Sequence, residues 1–211
     1  MKSKSVRVLL AAAATGVALT ACSSPTPIGV AATVGGERIS TKQLDAEVTE
    51  FQTALAKAKV TQEQIQLPSI PRAVLLQLVY FKQFDQFAER NGVNVTEGDV
   101  DSFVAEQGGM ERIGPAALSK GVPPSETRQW IRTALIYQKG LERFGANLSD
   151  QASSQAAQVK VFEQMDAIPV KVAHRYGVWD PQQGLVNQPR FGAPAEQDAP
   201  PAGQPDPSAG Q

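Results

Sequence analysis

Residues 71–90 restrict the possible folds more than any other stretch of this chain. Pro71 suits a first helical turn, and Asn91-Gly92 supplies a stop after Arg90. Between them Val74, Leu75, Leu76, Leu78, Val79, Tyr80, Phe81, Phe84 and Phe87 project around nearly the whole circumference of a helix. A helix apolar on every side must be gripped on several sides, so this segment is expected at the centre of a core with other elements wrapped round it. The functional alternative is that one of its sides lines a groove for another chain.

The flanking segments read as that wrapping. Ala31 to Ile39 reads as a strand, a Gly35-Gly36 turn and a return strand, because two glycines tolerate the positive φ of a tight hairpin. Ser40 is an N-cap with Gln43 at the capping-box position, and Leu44, Val48, Phe51 and Leu55 give a helix to Lys59 with one apolar face. Thr96, with Asp99 three residues on, caps a short helix carrying Val100, Phe103 and Val104 and stopped by Gly108-Gly109. Gly114-Pro115 opens another short turn of helix to Lys120. Ser125 then caps a long helix to Phe144, whose stripe of Trp130, Ala134, Tyr137, Leu141 and Phe144 is widened by Ile131 and Leu135. A last helix, Asp150 to Met165, is thinly apolar through Val161 and Phe162. Two sequons, Asn94-Val95-Thr96 and Asn147-Leu148-Ser149, are better read as helix caps at Thr96 and Ser149. From Val170 the period drops to two, with Val172, His174 and Tyr176 on one side of a strand. The fold class is therefore mostly α, with a small β-sheet in which strands from the two ends of the chain pair, Thr33 near Lys171.

Both termini are different material. Lys2, Lys4 and Arg7 precede an apolar run from Val8 to Leu19, which is too short to cross a bilayer as a helix and fits a signal-peptide core. The run ends in Leu19-Thr20-Ala21-Cys22, which resembles a bacterial lipobox. That resemblance implies cleavage before Cys22 and a diacylglycerol thioether on its sulfur. Residues 1–21 are thus read as a lipoprotein signal, 22–29 as a tether, 30–182 as the helical domain and 187–211 as a disordered Pro-rich tail. The expected location is the extracytoplasmic face of a cell membrane, held by lipid.

Cys22 is the single cysteine, so no intrachain disulfide forms and the fold must rest on its apolar core. Removing the signal takes away three basic residues and no acidic one, leaving 17 basic against 21 acidic, a net charge of −4. That gives no electrostatic footprint for nucleic acid. One histidine, His174, and one cysteine cannot build a Cys/His metal cluster, and no nucleophile-elbow Gly-x-Ser-x-Gly accompanies His174. The carboxylates sit in first turns and on solvated helix faces, as at Asp45, Glu47 and Glu50 or at Glu97, Asp99 and Asp101. No cofactor and no catalytic constellation is expected.

Two passages carry a family resemblance. Ala31 to Ser40 followed by a helix resembles the start of the SurA-like chaperone domain of SurA and PrsA-type foldases. Phe103, Gly108-Gly109, Leu118, Gly121, Ser125, Arg128, Ile131, Leu135 and Leu141 are similar to its later part, and Ala173 to Asp180 looks like the terminal strand of lipid-anchored foldases. The resemblance implies a helical domain that cradles unfolded client segments. In that family a parvulin domain is inserted, but here the interval from Phe144 to Ile168 is far shorter than the ~100 residues a domain needs. The implied function is a lipid-anchored chaperone-like protein that binds unfolded exported polypeptides without prolyl isomerase activity. The alternative is a structural or adaptor lipoprotein with one specific envelope partner. Phe81, Phe84, Trp130 and Tyr137 are the candidate client-binding residues, although core packing explains each of them equally.

Overall fold

The structure, a computed structural model, describes residues 27–67, 69–147 and 149–187. The signal segment, Cys22, most of the tether and the Pro-rich tail from residue 188 lie outside the described residues.

Strands β1 (Val30–Val34) and β2 (Glu37–Ser40) form the expected hairpin. Its turn demands glycine at Gly35: φ is +55°, and a Cβ there would lie 1.7 Å from Gln86 Oε1. Ser40 caps helix α1 (Thr41–Ala58), its Oγ accepting from Gln43 N at 3.0 Å. Helix α2 (Ile70–Asn91) follows and ends at Gly92 in the left-handed conformation, φ +62°. The capping box at Thr96 starts α3 (Glu97–Glu106) as read from the sequence, with Thr96 N and Oγ1 both donating to Asp99 Oδ2.

Helix α4 (Met110–Ser119) begins four residues before the expected Gly114. Gly109, at φ +96°, sets the break from α3, and the buried pair Ile113 and Ala117 holds one face down. Pro115 sits inside the helix, where its missing N–H deprives only the carbonyl of Glu111, an exposed residue that water can serve. Ser125 is likewise not the cap of the long helix. It lies in a 3₁₀ turn (Pro124–Glu126), and α5 (Thr127–Arg143) follows with Glu126 at its N-cap and no side-chain cap bond. The buried line of α5 is Thr127, Ile131, Ile136 and Gly140; Trp130, Tyr137, Leu141 and Phe144 are half-buried beside it and Ala134 is exposed. Helix α6 (Gln151–Asp166) is capped by Asp150, which accepts from Ala152 N at 3.1 Å, so the cap falls one residue beyond Ser149. Ser149 N instead donates to Asn147 Oδ1 at 3.0 Å.

The two ends of the body meet in one sheet. Strand β3 (Val170–Val172) pairs antiparallel with β1, giving the order β2-β1-β3, and Thr33 stands directly opposite Lys171. The strand is shorter than its alternation suggests: His174–Tyr176 turns into a 3₁₀ helix. After it β4 (Val178–Asp180) and β5 (Gly184–Val186) make a second hairpin. Arg72 ties that hairpin to α2, donating to Leu185 O at 2.7 Å and to Asn187 Oδ1. Tyr80 and Trp179 meet edge to face at 5.7 Å.

Helix α2 is the central element. It packs against α1, α5, α6, both strands of the first hairpin and β5. Val74, Leu75, Leu78, Val79, Phe81 and Phe87 are each no more than 4% exposed. Lys82 Nζ reaches Glu37 Oε2 at 2.7 Å, and Gln86 Nε2 donates to Val34 O at 2.8 Å and Glu37 Oε1 at 2.9 Å. These bonds clamp the first hairpin across α2.

Candidate functional site

The four candidate client-binding residues separate into three environments. Phe81 is 4% exposed and closed inside the core. Phe84 and Tyr137 are brought together edge to face at 6.2 Å, and Tyr137 continues to Phe162 at 6.4 Å. Trp130 stands apart from them in a groove of its own.

That groove lies between the C-terminal end of α3, α4 and the first turns of α5, with a volume of about 430 Å³. Phe103, Ile113, Ala116 and Trp130 give its apolar lining, and Glu106, Gln107 and Arg112 bring both signs of charge and an amide to it. Its size is that of pockets taking small ligands or a few side chains. A set of ion pairs fixes the α3 wall on α5: Arg128 bonds Glu97 and Asp101 at 2.8 Å each, Arg132 also bonds Glu97, and Lys139 bonds Asp99 at 3.0 Å. The Thr96 backbone N–H, then Lys139 and the Thr96 hydroxyl, hold the Asp99 carboxyl at a pKa of about 2.

The second apolar feature is the ridge of Phe84, Tyr137 and Phe162. Phe162 is 46% exposed and its neighbour on α6, Val159, 56%. On α6 the buried residues Ala157, Val161 and Met165 recur every four positions, so Phe162 and Val159 fall off the buried line and face out. That spacing was available in the sequence and identifies the outward pair. The groove residues Phe103 and Ile113 are different, because their convergence depends on how α4 turns back on α5.

Carboxylates gather where α1 meets the 3₁₀ turn. Glu50 accepts Ser125 N at 2.8 Å and Ser125 Oγ at 2.7 Å, while Glu47 Oε2 lies 3.2 Å from the same hydroxyl. A serine hydroxyl has one proton to give. Burial raises the Glu47 pKa, with Glu50 adding to the rise, and burial followed by Glu47, Glu50 and Asp85 raises that of Glu126. The Ser125 hydroxyl is therefore shared between the two carboxylates, with the shorter contact to Glu50. The Ser125 hydroxyl thus docks on acids, and His174 stands exposed in the turn after β3. Among the described residues no group of three His, Cys, Asp or Glu is arranged to hold a metal ion, and no helix is long and apolar enough to cross a membrane.

A strand–glycine-turn–strand hairpin clamped on a central helix, followed by a short helix pair, is matched by the family model of the SurA-like N-terminal domain over residues 2–112, just over half of the chain. The chain belongs to the SurA-like N-terminal domain family. That family is chaperone-type and not a known catalytic one. Neither the curated proteins nor the solved structures give a significant match. The Trp130 groove and the Phe84–Tyr137–Phe162 ridge are two apolar features this SurA-like chain leaves open among its described residues.

Proposed function

We propose that this protein is a lipid-anchored, extracytoplasmic chaperone-like protein that holds segments of unfolded exported polypeptides without isomerising their prolyl bonds. The observation that carries the reading is membership of a chaperone-type family together with an open groove walled by Trp130. The lipobox-like Leu19-Thr20-Ala21-Cys22 supports the anchor, and the short interval between α5 and α6 supports a body without an inserted isomerase.

Weak binding suits this role. Burying one or two client side chains on the groove or ridge contributes ~1.5–3 kcal/mol each before ordering costs. One such contact alone corresponds to a dissociation constant weaker than about a millimolar, so capture at near-stoichiometric ratio rests on several contacts along one unfolded chain, each released without an energy source. The mixed lining of Glu106, Gln107 and Arg112 tolerates client polar groups instead of selecting one sequence.

Aggregation of a chemically denatured client, followed by light scattering, tests the reading. The protein should suppress scattering at near-stoichiometric ratio, and Trp130→Ala, with its folding checked by circular dichroism, should suppress less. Absence of suppression by the parent protein refutes the chaperone role, and measurable turnover of an X-Pro peptide refutes the non-catalytic one. Pull-down on the lipidated protein should return many unfolded exported chains; a single dominant partner would favour an adaptor. Cys22→Ser should release the protein from the membrane fraction with its fold intact.

A further inference from the structure

The chain leaves the sheet towards Cys22 through a defined turn. Val30 N donates to Pro27 O at 3.1 Å and Gly29 has φ +81°, the pattern of a type II turn with Ile28 at its second position. The Gly29 carbonyl accepts from Thr41 N at 2.9 Å and from Thr41 Oγ1 at 3.3 Å, so the turn is fixed to the start of α1. Ile28 at its apex is fully exposed, at 105%, whereas the other exposed large apolar residues are 36–56% exposed. An ordered turn therefore holds an isoleucine clear of the protein.

The charges around that turn are basic. The first turn of α1 contains no acidic residue and carries exposed Lys42, so the positive end of the helix stands uncompensated. On the other side of β1, Ala173 N donates to Ala31 O at 2.8 Å, which brings the following residues His174 and Arg175 to the same end of the sheet. The Arg175 guanidinium lies 4.7 Å over the Tyr176 ring. Among the described residues neither Lys42 nor Arg175 has a carboxylate within ion-pair distance. Asp45 is the nearest acidic residue along α1, one turn on.

Chain length brings this end to one particular surface. Ile28 lies six positions after Cys22, a reach of roughly 20 Å at full extension. A lipid on Cys22 thus confines the Ile28 turn to the neighbourhood of the bilayer interface, where a tether of this length makes even weak contacts count.

We propose that the sheet end formed by the Ile28 turn, Lys42 and Arg175 is a bilayer-contact surface, with Ile28 entering the headgroup–acyl boundary and the two basic residues meeting anionic lipid headgroups. The surface rests on the proposed lipid at Cys22, and it fixes the orientation of the body, sheet end down. Anionic lipid is favoured over zwitterionic lipid because Lys42 and Arg175 have no carboxylate partner among the described residues.

The test uses the full chain expressed with its own leader, purified from membranes and reconstituted into vesicles of phosphatidylcholine and phosphatidylglycerol with brominated acyl chains. Ile28→Trp should lose at least half of its added fluorescence relative to unbrominated vesicles, after subtraction of the wild-type signal from Trp130 and Trp179. No more quenching than in wild type overturns the proposal. Quenching should fall at least two-fold in pure phosphatidylcholine and in the Lys42→Glu/Arg175→Glu variant; unchanged quenching in both overturns the headgroup assignment. Mass spectrometry of the Cys22 peptide reads the anchor separately. If Cys22 is unmodified, the anchor reading fails, and coupling its thiol to a maleimide lipid lets the same quenching experiment decide on the surface.

Discussion

Joining β1 to β3 by a disulfide probes the closure of the whole fold. Thr33→Cys with Lys171→Cys, in a Cys22→Ser background, leaves two thiols that face each other across the sheet. Hydrogen bonds two positions away on either side, Ala173 N to Ala31 O and Gly35 N to Pro169 O at 2.8 Å each, make Thr33 and Lys171 a hydrogen-bonded pair. Their Cα atoms are then ~5.5 Å apart, within the about 4.4–6.8 Å that a disulfide spans. Thr33 is half-buried and Lys171 exposed, so an oxidant reaches both and little packing is lost.

The bond closes a loop of roughly 140 residues, for which the chain-entropy model gives ~5 kcal/mol at most. Strain at a hydrogen-bonded pair reduces that, so an increase of about 2–4 kcal/mol is expected. With a urea slope of ~2 kcal/mol/M this moves the midpoint up by about 1–2 M between the reduced and oxidised forms. The assay is urea unfolding followed by circular dichroism, with free thiols counted beforehand. Failure to form an intramolecular bond under mild oxidation, or an oxidised midpoint no higher than the reduced one, refutes the pairing of the chain ends.

Other expectations follow from single contacts. Gln83 is 3% exposed and, among the described residues, its Oε1 has no partner and its Nε2 reaches only Met165 O, at 3.5 Å; Gln83→Met should stabilise by ~1 kcal/mol, seen as a Tm a few degrees higher. Met165 O keeps the bond from Ile168 N at 2.9 Å. Gly35→Ala must expel Gln86 and should cost about 2–4 kcal/mol, whereas Gly36→Ala, with nothing within 4 Å of the new Cβ, should cost only ~1 kcal/mol of positive-φ strain; equal midpoint losses would contradict the clash. Burial first, and like charge from Glu47, Glu50 and Asp85 next, raises the Glu126 pKa, and burial also raises Glu47 and Asp85. A raised folded pKa favours the protonated form, so thermal stability should increase as pH falls from 7 towards ~4.5. It should decrease below ~4 as Asp99, held at about 2, is forced to protonate. Glu126→Gln should flatten the upper limb; an unaltered profile would count against the cluster. A fragment ending at residue 112 should show no cooperative thermal transition, and one matching the full chain would make residues 113–187 dispensable.

The sequence revealed the fold wherever a local rule and the global packing agreed. The all-round apolar pattern of residues 71–90 identified the central helix, because no exposed helix tolerates Val79, Phe81 and Phe87 on different faces. The Gly35-Gly36 turn and the Thr96 box were legible for the same reason. Ser125 misled because tertiary contact overrode local preference: its hydroxyl finds Glu47 and Glu50 on α1, some 75 residues back, instead of the N–H groups of α5. At residues 173–176 the alternation continued, yet the strand ended, since Gly177 with φ +120° turns the chain into a second hairpin anchored by Arg72. The candidate site was half legible. Aromatic content pointed to Trp130 and Tyr137 and the four-residue spacing on α6 to an outward Phe162, but only the packing of the helices separates a buried Phe81 from an open Trp130.

The match to the SurA-like family ends at residue 112, inside α4, and that boundary is not a structural one. Strand β1 lies between β2, within the match, and β3, nearly sixty residues beyond it. Phe87 of α2 is packed by Gly140 of α5 so closely that a Cβ on Gly140 would come within 2.9 Å of its ring, and by Phe144 at 6.3 Å. Residues 113–187 thus complete a core that the matched half cannot close. The Trp130 groove straddles the same boundary, with Phe103, Glu106, Gln107 and Arg112 before it and Ile113, Ala116 and Trp130 after it. The family match thus covers the hairpin clamped on α2 and one wall of the groove, while Ile113, Ala116 and Trp130 lie beyond it. Substitutions at Ala116 or Trp130, on α4 and α5, therefore alter the groove without touching the hairpin clamped on α2.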